Sequence, residues 1–197
     1  MQELATLFHQ RVTAMIELLD GVMKDADLTE HIDEACVKIT EALADGRRLL
    51  ICGNGGSAAD AQHFAAELTG RFKHDNRRPL PCIALTVDTS ALTAIANDFG
   101  FDEVFSRQVE ALATPGDVLI GISTSGNSEN IVRAVKLAQD MGVYTIGLLG
   151  RDGGKLSTAV GTAIVVPSRE TDLIQQVHLI IEHFMCQVID DHFVGLQ

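Results

Sequence analysis

Cys52-Gly-Asn-Gly-Gly-Ser-Ala-Ala-Asp-Ala-Gln-His-Phe-Ala-Ala-Glu67 decides the fold. The apolar run before it, Leu49-Leu50-Ile51-Cys52, reads as a buried strand. Asn54-Gly55-Gly56-Ser57 supplies a tight turn and a helix N-cap. The Ala-rich stretch that follows is helical. It carries His63 and Glu67 at i and i+4, so both project from one face. A strand running through a glycine turn into a helix N-terminus suits an anionic ligand. A His/Glu pair beside it suits proton transfer or metal binding.

The same pattern repeats downstream. Apolar runs at Leu49–Cys52, Cys82–Thr86, Val118–Ile122, Tyr144–Leu149 and Ala163–Val166 alternate with helical stretches near 57–70, 89–112 and 128–141. A shorter helical stretch lies near 153–160, and a long helix runs from Glu170 to Phe193, apolar nearly all round and therefore expected to be buried. Short continuous apolar runs between helices indicate a parallel sheet covered on both faces. The fold class is α/β, a doubly wound five-stranded parallel sheet. Upstream, apolar positions at helical spacing predict helices over 2–24 and 28–44. This hairpin either covers the sheet or docks on another subunit. We expect a single domain over 1–197, with N-terminal helices to 46 and the α/β core and last helix over 47–197.

Composition limits the function classes. With 46% hydrophobic and 21% charged residues the chain is an ordinary soluble globular protein. A net charge of −12 argues against nucleic acid and anionic lipid as partners. Cys36, Cys52, Cys82 and Cys186 show no C-x-x-C spacing and read as core residues, not a disulfide framework. There is no secretory-type N-terminus and no long apolar span, so a cytoplasmic location without membrane contact is expected.

Ligands of such sheets bind at the carboxyl ends of the strands. The third run ends in Ser123-Thr124-Ser125-Gly126-Asn127-Ser128 and then a helix. Hydroxyls, backbone N–H groups and a helix N-terminus make a phosphate cradle that needs no lysine. Neither a Walker loop nor a Gly-x-Gly-x-x-Gly fingerprint is present, which disfavours nucleotide. The last helix sets Gln175, His178, Glu182 and His183 among apolar residues, where each needs a partner. The basic run Lys73–Arg78 reads as an exposed loop.

These residues resemble the sugar isomerase (SIS) domain of bacterial phosphoheptose isomerases. The resemblance is carried by Cys52–Ser57 with Asp60–Phe72, by Thr93–Gly100, by Phe105–Val109, by Gly121–Ser128, and by Ile174-Gln175 with His183 further on. It implies a flavodoxin-like sheet and a ketose–aldose isomerase that converts sedoheptulose 7-phosphate to D-glycero-D-manno-heptose 7-phosphate. That reaction is the first step toward the heptose of envelope lipopolysaccharide. The resemblance also implies one Zn2+ per subunit at His63, Glu67, Gln175 and His183. Substrate contacts are implied at Asn54, Gly55, Gly56, Ser57, Glu67, Asn97, Asp98, Ser123, Thr124, Ser125, Ser128, Asp172 and Gln175. It further implies a homotetramer with sites near subunit boundaries. Gln176 departs from the pattern, where relatives often carry Glu.

The chemistry needs one base to move a proton between C1 and C2 through a cis-enediol, and a second group to serve the oxygens. Glu67 is assigned the first role and His183 the second. Gln175 and His183 stand about 12 Å apart along a helix, so they lean together or come from different subunits. Two rivals share the strand–turn–helix motifs: a non-enzymatic SIS protein that binds the replication initiator, and a sugar-phosphate-binding regulatory module. Neither needs both Glu67 and His183.

Overall fold

The computed structural model describes residues 2–194. Two helices, α1 (Gln2–Lys24) and α2 (Ala26–Ala44), precede β1 (Leu49–Gly53) and α3 (Gly56–Thr69). Then come β2 (Cys82–Ala84), α4 (Thr89–Phe99), α5 (Ser106–Leu112), β3 (Val118–Ser123) and α6 (Glu129–Asp140). β4 (Tyr144–Gly150), β5 (Thr162–Val166) and α7 (Thr171–Val194) complete the chain. The five strands are all parallel, in the order β2-β1-β3-β4-β5. The order reverses direction at β1 and β3, whose carboxyl ends carry the two glycine- and hydroxyl-rich turns.

Apolar clusters lie on both faces of the sheet. One joins α2, α3 and α7 to Ile51, Ile120 and Leu148. The other joins α5 and α6 to Leu50, Leu119 and Leu149. All four cysteines are free and buried, and burial pushes the Cys52 thiol up to about 12. Among the described residues no helix is long and apolar enough to cross a membrane.

Three expectations change. The single helix expected over 89–112 is two helices, because Gly100, at φ +96, ends α4 before a 3-10 turn at Phe101–Glu103. Second, α7 is not buried all round: Ile180 and Phe184 are exposed. Third, Lys73–Arg78 is not simply an exposed loop, since Arg77 is buried and ion-paired with Asp190. Two boundaries also shift. β2, an edge strand, stops at Ala84, and the stretch near 153–160 is a 3-10 turn at Gly154–Thr158.

His178, on the buried side of α7, donates from Nε2 to the Leu149 carbonyl at 2.9 Å and leaves Nδ1 without a partner. Burial pushes its pKa down to about 4, so the ring folds neutral. The unfolded chain takes up this proton near pH 6.5 and the folded one only near 4. The stability it contributes is therefore present above about pH 6.5 and lost as pH falls toward 4, about 3 kcal/mol in all. Urea midpoints should fall over that window, and less steeply for His178→Gln. An equally steep fall in the variant would contradict this.

Candidate active site

The first turn is shaped by close approach. A Cβ on Gly53 would sit 2.4 Å from the Ser57 carbonyl oxygen, so only glycine lets β1 turn directly into α3. Gly55, not a hydroxyl residue, occupies the cap position of α3, at φ +57 and without a side-chain cap bond. Ser57 is buried in the first helical turn. Asn54 and Asn130 exchange amide hydrogen bonds of 2.9 Å, which ties the end of β1 to the start of α6.

That tie places the second turn beside the first. The Ser123 hydroxyl lies 3.1 Å from that of Ser128 and accepts from the Gly126 N–H at 3.1 Å. Ser125 Oγ accepts from the Asn127 N–H at 3.2 Å. Ser128 caps α6 in extended geometry, but its side chain makes no cap bond. Gly126, at φ +65, packs on the Gly153–Gly154 backbone. An open cavity of about 640 Å3 beside the turn is lined by Asn127, Arg151, Asp152, Pro167, Ser168 and Arg169.

Further along α3, His63 and Glu67 flank its buried stripe of Ala61, Phe64, Ala65 and Leu68. His63 Nε2 lies 2.8 Å from His183 Nε2 and 3.7 Å from Glu67 Oε1. In the neutral pair one ring donates and the other accepts. Phe72 stacks on the His183 ring, 5.8 Å between centroids. Behind this group Glu182 is fully buried with neither oxygen bonded, and burial, then the nearby Asp60, pushes its pKa up to about 8.

One chain therefore brings His63, Glu67 and His183 together. Gln175 stands apart from them, its amide against Gly56, where an added Cβ would meet Nε2 at 2.5 Å. Asn97 and Asp98 lie exposed on α4 and bond to each other at 2.7 Å. Asp172 is held by Arg11 of α1, whose guanidinium lowers its pKa. Among the described residues no three His, Cys, Asp or Glu side chains are already spaced around one metal position. Two imidazoles on a tetrahedral zinc with bonds of about 2.05 Å place their nitrogens about 3.3 Å apart. The His63–His183 pair needs to open by only about half an ångström to reach that spacing. Two imidazoles and a carboxylate are a fitting donor set for zinc.

Residues 12–150 match the family model described as the SIS domain. The phosphoheptose isomerase of Aliarcobacter butzleri is 60% identical over 164 residues, 83% of this chain and 86% of that protein. The chain belongs to the phosphoheptose isomerase family. Another family member, from Nitratiruptor, is 59% identical over 167 residues, 85% of this chain and 89% of its own. The solved phosphoheptose isomerase of Neisseria gonorrhoeae superposes with a TM-score of 0.89 at 45% identity, covering 95% of this chain and 99% of that one. The sugar isomerase domain of an RpiR transcription factor from Sphaerobacter thermophilus, at 20% identity and a TM-score of 0.65, shares the fold alone.

The sequence reading missed the Asn54–Asn130 tie, the Phe72 stack and the Arg77–Asp190 pair. Each joins residues far apart in the chain. Polar residues in turn or apolar settings hint at the Asn54–Asn130 tie and the Arg77–Asp190 pair, and nothing local hints at the Phe72 stack.

Proposed function

We propose that this isomerase interconverts sedoheptulose 7-phosphate and D-glycero-D-manno-heptose 7-phosphate. The observation that carries the reading is the convergence of His63, Glu67 and His183, about two turns along α3 from the Asn54–Ser57 turn, which the Asn54–Asn130 bonds tie to the start of α6 and its hydroxyl turn. That separation suits an extended sugar phosphate whose reacting carbonyl lies at the end opposite its phosphate. Ser123, Thr124, Ser125 and Ser128 take the phosphate. Asn54, Gly55, Gly56, Ser57, Asn97, Asp98, Asp172 and Gln175 belong to the sugar side.

Glu67 removes the C1 proton of the ketose and returns it to C2 of the cis-enediol. His183 moves the proton between O2 and O1. Zn2+ would be held by His63, Glu67 and His183 and would supply a Lewis acid for the carbonyl; Glu67 and His183 carry protons only while released from it. Gln175, with its amide at Gly56, serves the sugar within one chain and would reach the metal only from another. Incubation of the purified protein with sedoheptulose 7-phosphate, with and without chelator, should yield the aldose and more of it with zinc. No aldose under either condition would overturn the reading.

The exposed apolar side of α1, with Leu4, Leu7, Phe8 and Ile16, supports a homotetramer with sites near subunit boundaries. Light scattering should report that assembly, and a stable, fully active monomer would contradict it. A cytoplasmic location and supply of heptose to lipopolysaccharide follow from the same reading. The cavity arginines, Arg151 and Arg169, draw a dianion toward a chain whose net charge is −12. Arg169→Ser should lower kcat/KM a few-fold at low salt, less at high salt, with kcat unchanged. A salt-independent loss, or none, would remove this role.

A further inference from the structure

We infer that Arg77 and Asp190 are positioning residues for this site: a buried clamp between α3 and α7 that holds His63 against His183. The inference rests on the isomerase reading above.

Neither side chain of the pair is exposed, and Arg77 Nε donates to Asp190 Oδ1 at 2.5 Å. Arg77 also spreads over the end of α3. Nη1 donates to the Leu68 carbonyl at 2.8 Å and to that of Arg78 at 2.6 Å. Nη2 donates to the Glu67 carbonyl at 2.8 Å and to that of Gly70 at 3.3 Å. The last carbonyls of a helix have no intrahelical donors, and α3 has no basic residue in its own last turn. Arg77 supplies both the missing hydrogen bonds and the favourable charge from outside the helix. Asp190 Oδ2 accepts from the N–H groups of Lys73 at 2.9 Å and His74 at 3.0 Å. Burial alone would raise the Asp190 pKa, but Arg77 and the two N–H groups outweigh it and hold the carboxylate low.

The clamp lies on the same seam as the chemistry. Asp190 follows His183 by two turns of α7, so both project toward α3. Arg77 grips the backbone of Glu67, whose side chain lies 3.7 Å from His63. On the other side of the histidine pair, Glu182, one residue before His183, makes no hydrogen bond across the seam. The spacing of α3 from α7 at the site is thus set by apolar packing, by this buried clamp and by the more exposed Lys73–Gln187 and His74–Asp191 contacts beside it. A misplacement of about 1 Å at reacting groups can cost about 100-fold in rate.

The test replaces both charges in Arg77→Met/Asp190→Leu. Exchanging a buried ion pair for apolar residues of similar size is often neutral or stabilising. Here, however, four carbonyls and two N–H groups also lose these partners, so Tm should fall. The phosphate turn lies elsewhere, on β3 and α6. Below that Tm the folded double variant should therefore keep its KM within about 3-fold and lose about 10- to 100-fold in kcat. Wild-type kcat in a folded double variant would overturn the inference and leave the pair purely structural. If the double variant does not fold, Arg77→Lys decides. It keeps a charge for Asp190 but not the fork over the α3 carbonyls. Reduced kcat at unchanged KM supports the clamp, and unchanged kcat overturns it. The imidazole nitrogen NMR signals of His63 and His183 report their contact without turnover. They should shift in the variant, and unshifted signals count against the clamp. A wild-type protein that failed to turn over the heptulose phosphate would sink the isomerase reading while leaving this NMR comparison intact.

Discussion

Glu67→Gln is expected to lower kcat by about 100- to 10,000-fold, the range of a well-placed acid/base group. That corresponds to about 3 to 5 kcal/mol of transition-state stabilisation. The substitution keeps the side chain's size and removes its ability to take a proton. Glu67 sits at the edge of the buried stripe of α3, its side chain 23% exposed, so no buried ion pair is broken and the fold should survive. The phosphate grip lies in the Ser123–Ser128 turn, so calorimetry should still show substrate binding. Binding without turnover is the expected pattern. Wild-type turnover would remove Glu67 from the proposed chemistry, and loss of binding and activity together would make it a ligand-holding residue only.

Gly126→Ala should produce the second large effect, of a different kind. A Cβ there would stand 1.8 Å from the Gly153 carbonyl oxygen, on a backbone at φ +65. Neither atom belongs to a flexible side chain, so the turn must rebuild. The rebuilt turn loses the Gly126 N–H bond to Ser123 Oγ and displaces the hydroxyl pair of Ser123 and Ser128. We expect kcat/KM to fall by about 100-fold or more, in line with the cost of misplacing a binding group by about 1 Å. The loss should appear in KM as well as kcat, with a lowered Tm from the strained backbone. Unchanged KM for the sugar phosphate would show that this turn does not hold the phosphate.

The fold was legible because its signals are local. The strand–turn–helix pattern of Leu49–Glu67 shows directly, whereas the close approach of Gly53 to Ser57, which forbids a Cβ there, appears only in the fold. The same local reading failed at Gly100, because the apolar spacing of Leu92, Ile95 and Val109 continues across the break and hides it. It failed again at Arg77, whose partner lies 113 residues away. A basic run without a visible counter-charge reads as solvated surface. The apolar repeat of α7 did not show that Ile180 and Phe184 face outward, since periodicity alone does not say which faces a lone chain leaves bare.

The site was partly legible. The hydroxyl turn and the His63/Glu67 pair follow from spacing. The place of His183 followed from resemblance, and the fold now sets it against His63 across 120 residues of sequence. Spacing along α7 left open whether Gln175 and His183 lean together or come from different subunits, and within one chain the Gln175 amide lies against Gly56. Asn97 and Asp98 lie on a helix that buries no residue of its own, so nothing within one chain fixes what they meet.

The most direct test follows sedoheptulose 7-phosphate by proton NMR in deuterium oxide with the zinc-supplemented protein. The aldose C1 proton signal should appear, with deuterium entering at C2 of the product through the enediol. Neither should occur at a comparable rate with Glu67→Gln. Absence of both the aldose signal and any exchange at C1 of the ketose would contradict the account.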